Sequence, residues 1–151
     1  MADKNGKNVL EVKNLRTYFF NRWGTVKAVD GVSFSVKQGE TLGIVGESGC
    51  GKTMTALSLM RLNPTPASQI IDGEIILDGQ DILRIPEKEM RDVRGREISM
   101  ILQDPQTSLN PVYTIGNQLV EALGHRTNLQ KDLRAEAEQA LRNVRVAAPE
   151  R

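Results

Sequence analysis

The sequence predicts an α/β fold, a mainly parallel sheet with helices and some antiparallel pairing near its start. Three observations carry that expectation. Short apolar, β-branched runs alternate with stretches of helix formers along the chain. Two turn signals, Asn21 to Gly24 and Asp78-Gly79, join stretches that read as paired strands. A glycine cluster in GESGCGKTMT, residues 46–55, separates an apolar run from helix-forming residues. Glycines inside a regular element cost stability, so a cluster here calls for a local reason.

The elements follow in chain order. Residues 9–19 (VLEVKNLRTYF) alternate apolar and polar side chains as a strand does, and Asn21 to Gly24 supply a turn. VKAVDGVSFSV at 26–36 reads as a second strand region, broken near Asp30-Gly31, and Gln38-Gly39 punctuates again. TLGIV at 41–45 is short, apolar and branched, which suits a strand buried on both faces. KTMTALSLMRL at 52–62 places apolar residues at 54, 57 and 60–62 among helix formers, and Asn63-Pro64 stops it. GEIILDGQDIL at 73–83 is a hairpin about Asp78-Gly79. EISMILQDP at 97–105 reads as another buried strand, stopped by Pro105. A loop, TSLNPVYT at 107–114, then leads to helices over roughly 115–123 and 131–145.

Composition narrows the function classes. The 151 residues are 39% hydrophobic and 26% charged, the balance of a globular chain. Twenty basic residues against 19 acidic ones leave a net charge of +1, which argues against a nucleic-acid partner. A single cysteine, Cys50, excludes an intramolecular disulfide and fits a reducing compartment. The start, MADKNGKNVLEVKN, lacks the apolar core of a signal peptide, and no run is long enough to span a bilayer. A cytoplasmic protein without direct membrane insertion is expected, one still able to dock on a membrane partner.

The glycine cluster matches G-x-x-x-x-G-K-[ST] from Gly46 through Glu47, Ser48, Gly49, Cys50 and Gly51 to Lys52 and Thr53. Glycines let the backbone curl so that successive N–H groups point inward at phosphate oxygens. The helix that follows adds unpaired N–H groups and its positive dipole end. Lys52 can reach the β- and γ-phosphates, and the Thr53 hydroxyl can ligate Mg²⁺. The competing reading is a plain glycine turn. By average residue usage the bare pattern arises in roughly one of a few hundred chains this long, and the flanking elements make chance rarer still. Cys50 lies at a variable position and reads as a small filler.

The wider pattern resembles the ATP-binding subunits of ABC transporters. The matching stretches are VLEVKNLRTYF, VDGVSFSVKQGETLGIVGESGCGKT, GEIILDGQDI and LQDPQTSLNP, which together run along most of the chain. The resemblance implies a P-loop NTPase of ABC ATPase type with an antiparallel β-subdomain, binding ATP and Mg²⁺. LQDP resembles the family's Q-loop, which makes Gln103 the residue that contacts Mg²⁺ and the attacking water. The competing reading treats ISMILQD as the strand that carries a Mg²⁺-binding acid, Asp104. An acid in that role directly follows its apolar run, whereas Gln103 intervenes here. The first strand aligns Phe19, with Tyr18 as the next candidate, to the ring that stacks on adenine; core packing is the rival role for Phe19. His125, the only histidine, falls too early for the family's switch histidine and reads as a surface residue.

GETLGIVGESGCGKT and LQDPQTSLNP, above all SLNP at 108–111, look most like the importers of dipeptides, oligopeptides and nickel. The resemblance implies transmembrane permease subunits, a second nucleotide-binding subunit and an external substrate-binding protein as partners, at the inner face of the cell membrane. It also implies later motifs, a Leu-Ser-Gly-Gly signature and a Walker B strand with a catalytic glutamate, and nothing after Gln103 matches them. The expectation is therefore the N-terminal part of one nucleotide-binding domain, truncated before those motifs. About 9–105 would be β-subdomain and core, and about 106–151 the start of the helical subdomain. Such a chain would lack hydrolysis alone, and strand 41–45 would lack a central neighbour. Two alternatives stand beside this reading: a stand-alone nucleotide-binding module that does not hydrolyse, and a non-transport ABC or P-loop ATPase.

Overall fold

Two fourteen-residue strands, β1 (Asn8–Asn21) and β2 (Gly24–Lys37), form a long antiparallel hairpin closed by Arg22 and Trp23. This computed structural model describes residues 6–103, 108–126 and 132–148. β3 (Ser68–Leu77) pairs antiparallel with the other side of β1, and the two-residue β4 (Gln80–Asp81) with β3, giving the order β2-β1-β3-β4. Asp78 (φ 47°) and Gly79 (φ 93°) both take the left-handed conformation that a two-residue hairpin turn requires. The predicted Asn21–Gly24 and Asp78-Gly79 turns are both present.

The predicted break at Asp30-Gly31 is instead a bulge. Leu15 pairs with Val32 and Arg16 with Asp30, so Gly31 (φ 78°) is the extra residue and β2 runs on unbroken. A second bulge lies in β1 at Asn14 (φ 48°), where the chain advances three residues against two on β3. Gly73 faces it: a Cβ there would stand 2.7 Å from Leu15 Cα and 2.8 Å from the Lys13 carbonyl. Only glycine permits so close an approach of the two backbones.

Helix α1 (Lys52–Leu59) packs on this sheet and ends earlier than Asn63-Pro64 predicts. Arg61 N donates to Ser58 O and Leu62 N to Leu57 O, the double closure that terminates a helix with a left-handed residue. Arg61 (φ 51°) holds that position where glycine is usual. Its guanidinium donates to the carbonyls of Ile82 and Ile85, at 3.1 and 2.8 Å, and pairs with Glu87. The core of this unit gathers Val12, Leu15, Val29, Ile75, Leu77 and Ile82.

Two predicted strands are not formed. Residues 41–45 have no ladder partner among the described residues, and Leu42, Ile44 and Val45 are exposed, Val45 at 93%. Residues 97–103 make only an isolated bridge, Arg94 to Ile98, and Ile101 is likewise 93% exposed. The apolar pattern is right, but a strand buried on both faces needs neighbours to take its N–H and C=O groups. Residues 104–107, with Asp104 and the predicted stop at Pro105, lie outside the described residues, as does the His125 side chain.

The chain divides into two units, Met1–Met90 and Arg91–Arg151. Helix α2 (Glu87–Arg96) was not predicted, although Glu87 and Glu89 at its start and Arg94 and Arg96 at its end suit the helix dipole. Its helical course breaks at Arg94 and Gly95. In the second unit the two predicted helices form as α3 (Ile115–Arg126) and α4 (Leu133–Asn143), and they pack together. Asp132 caps α4 by accepting from the N–H groups of Arg134 and Ala135.

Candidate functional site

The loop from Gly46 to Thr53 follows the 41–45 segment, turns at Ser48–Gly49 and enters α1. Cys50 N donates to Glu47 O at 3.3 Å, which sets the turn, and Gly51 (φ 95°, ψ 2°) is the N-cap. The conformation is left-handed, and a Cβ on Gly51 would also run into the Ala28 carbonyl of β2. Gly51 therefore serves two needs at once: the turn, and direct seating of the loop on the sheet. The sequence motif signals only the first.

A hydroxyl chain fixes the helix behind the loop. Thr55 donates to the Gly51 carbonyl, 3.0 Å from Oγ1, and Ser58 Oγ to the Met54 carbonyl at 2.6 Å. With the Ser58 proton so used, Thr17 Oγ1 of β1, 2.8 Å away, is the donor to Ser58, and Asn63 Nδ2 donates to the same oxygen at 3.0 Å. Thr17 and Ser58 are both fully buried. Sequence reasoning missed this anchor, since nothing in the spacing links residues 41 positions apart.

Lys52 is the charge of the site. Its Nζ donates to the Gly46 and Glu47 carbonyls, both at 2.7 Å, and lies 3.5 Å from Cys50 Sγ. No acidic residue occupies the first turn of α1. An ammonium at the positive end of a helix dipole, held by two neutral carbonyls and a thiol sulfur, is electrostatically unfavourable until an anion arrives. Charge-assisted bonds to phosphate are stronger than those to neutral carbonyls, so the arrangement suits exchange of the carbonyls for a phosphate. Thr53, one residue on, is exposed.

Of the two candidate rings, Tyr18 is already engaged. It is buried, its hydroxyl donates to Asp30 Oδ1 at 2.6 Å, and Lys27 Nζ stands 5.4 Å from its ring. That hydrogen bond, followed by the one from Lys27, holds the Asp30 carboxyl below the usual carboxylate range. Phe19 is half-buried, paired with Val26 and Ser68, and lies two residues beyond Thr17 on the strand that anchors α1. Gln103 is exposed and belongs to the second unit. The first unit thus brings Gly46 to Thr53 and Phe19 onto one framework.

Residues 29–150 match the ABC transporter family. The chain belongs to that family. It is 47% identical over 144 residues to the probable peptide ABC transporter ATP-binding protein y4tR of Sinorhizobium fredii, covering 95% of this chain and 43% of that protein. The dipeptide transport ATP-binding protein DppD of Bacillus subtilis gives the same identity and the same coverage. This ABC chain therefore spans about two fifths of the length of the curated relatives it matches. Among solved structures, the dimeric bacterial ABC transporter cassette MJ0796 aligns with a TM-score of 0.74 at 20% identity, over 88% of this chain and 56% of that one. The same cassette bound to ADP and Pi aligns with a TM-score of 0.75 at 21% identity. The fold is that of an ABC ATPase cassette, as the resemblance implies, but the mainly parallel sheet expected from the alternation of elements is not formed among the described residues, where every strand pair is antiparallel because the two buried-strand candidates find no ladder partner.

Proposed function

We propose that this chain carries the ATP-binding loop of the ATPase subunit of an importer of peptides. One observation bears most of the weight. Lys52 and the N-terminus of α1 form a fixed cationic cradle, locked to the sheet through Gly51 against Ala28 and Ser58 against Thr17. The peptide-transport names of relatives nearly half identical to it supply the substrate class.

In this reading the triphosphate enters at Gly46 to Gly51, and Lys52 exchanges the Gly46 and Glu47 carbonyls for phosphate oxygens. Phe19 stacks on adenine. Thr53 and Gln103 offer the neutral oxygen donors that Mg²⁺ accepts alongside phosphate oxygens. Bound there, Mg²⁺ neutralises charge developing on the phosphates. Gln103 also orients the attacking water, and hydrolysis belongs to the longer protein. That protein sits at the inner face of the cytoplasmic membrane with two permease subunits, a second nucleotide-binding subunit and an external substrate-binding protein.

The test is uptake of a labelled dipeptide by cells lacking the gene, complemented by the parental or the Lys52→Ala full-length protein. Restoration by the parent alone is expected. Unchanged uptake on deletion would refute the reading, and loss of nickel uptake instead would move the substrate class.

A further inference from the structure

The phosphate cradle and the candidate stacking ring sit on different elements, and one buried contact joins them. β1 runs in unbroken register against β3 from Thr17 to Phe19, so these two residues share a face, about 7 Å apart along the strand. Tyr18, between them, turns to the other face and bonds Asp30. The shared face is the one that carries α1, because Thr17 Oγ1 meets Ser58 Oγ there at 2.8 Å. Ser58 lies about 9 Å down the helix from Lys52. Helix α1 is thus pinned to the sheet at both ends. At its start, a Cβ on Gly51 would run into the Ala28 carbonyl. A bulge presents that carbonyl: Val29 faces Thr17 and Lys27 faces Tyr18, which leaves Ala28 as the extra residue. At its end, Thr17 holds Ser58.

Both partners of the second pin are fully buried, and both carry hydroxyls where apolar side chains of the same shape would pack with little loss of stability. A hydrogen bond adds a set length and direction, where an apolar contact lets two elements slide. Ser58 Oγ is fully engaged: it donates to the Met54 carbonyl and accepts from Thr17 and Asn63. A ligand that bridges two subsites gains most when their separation already matches its own, and a site ordered beforehand avoids the ordering cost. We propose that Thr17 and Ser58 are positioning residues that fix the distance between the Phe19 ring and the Lys52 cradle, so that a nucleoside triphosphate engages both in one event. A polyphosphate without a base meets only the cradle and takes no benefit from the pin. This inference rests on the ATP-binding reading above, with Phe19 as the stacking ring.

The experiment is calorimetric titration of the full-length protein with MgATP and, separately, with magnesium tripolyphosphate. Thr17→Val keeps the side-chain shape and leaves Ser58 bonded to Met54 and Asn63. It should lower ATP affinity roughly fivefold or more and leave tripolyphosphate affinity unchanged. Thr17→Ser retains the hydroxyl and should bind ATP as the parent does. In a Phe19→Ala background, Thr17→Val should change ATP affinity no further, since the pin then has no ring to place. Should Thr17→Val fail to fold, the double variant Thr17→Val, Ser58→Ala removes both hydroxyls and strands neither, and the same ATP-specific loss is expected. Unchanged ATP affinity in Thr17→Val or in the double variant would overturn the proposal. Equal losses for ATP and tripolyphosphate would also overturn it, because the pin would then only support the loop. So would a full Thr17→Val effect persisting in the Phe19→Ala background. If Phe19→Ala alone left ATP affinity at the parental value, the ring assignment would fall and this inference with it.

Discussion

Gly51→Ala should be among the most damaging single changes in the loop. A left-handed conformation costs an L-residue about 1–2 kcal/mol. The added Cβ would also run into the Ala28 carbonyl, a backbone group of a paired strand that has no rotamer to escape into. Relief requires the loop to move off β2, and overpacking of this kind costs about 1–3 kcal/mol. The two together amount to roughly 2–5 kcal/mol, against a whole-domain stability of about 5–15 kcal/mol. Gly46→Ala is the control: its Cβ would meet Cys50 Sγ at 2.5 Å, the end of an exposed side chain that can rotate away. Denaturant unfolding and ATP titration of both variants measure the difference. Gly51→Ala should lower the unfolding midpoint and weaken ATP binding well beyond Gly46→Ala. Equal effects, or a silent Gly51→Ala, would refute the claim that the loop is seated on Ala28.

Phe19→Ala should weaken ATP binding by about 1–3 kcal/mol, the range for loss of a base–aromatic stack, while Phe19→Tyr stays near the parent in the same titration. If Tyr18→Ala were the costly change, the ring assignment would shift by one residue. Asp30 titrates below the usual carboxylate range because it accepts from Tyr18 and then from Lys27. Its folded value is depressed, so the stability it contributes is present above the unfolded value and is lost as pH falls through the lower folded one. Carboxyl NMR should show Tyr18→Phe raising the Asp30 midpoint, and an unmoved midpoint would contradict the cause given. Arg61→Ala should destabilise more than Arg61→Gly. Both lose the bonds to Ile82 and Ile85, but glycine also relieves a left-handed backbone worth about 1–2 kcal/mol; the opposite order in denaturant unfolding would contradict the helix-end account.

The sequence was legible where structure is local. The Asp78-Gly79 hairpin, the long β1, helices α3 and α4 and the loop at 46–53 each follow from a turn residue, a periodicity or a spacing. It was illegible where structure depends on distant neighbours. TLGIV and EISMILQ have the composition of buried strands, but strand pairing belongs to a partner and not to the strand itself. Asp30-Gly31 reads as a break because glycine signals both an ending and a bulge, and only the register against β1 separates them. The site divides in the same way. Lys52 and the glycines are candidates by spacing alone, whereas the clash of Gly51 with Ala28 and the Thr17–Ser58 anchor depend on the folded chain. Helix α2 is a different case, since its acidic start and basic end stand in the sequence without an apolar periodicity beside them.

The central claim is that Lys52, freed from the Gly46 and Glu47 carbonyls, binds the phosphates of ATP. Isothermal titration of MgATP into the parental and Lys52→Ala proteins, with denaturant unfolding to verify the fold, tests it most directly. The charge-assisted bonds at stake, about 1.5–3 kcal/mol for a hydrogen bond to a charged group, predict a loss of roughly tenfold to a hundredfold or more in affinity with little change in stability. Equal affinity in the two proteins would contradict the account at its foundation.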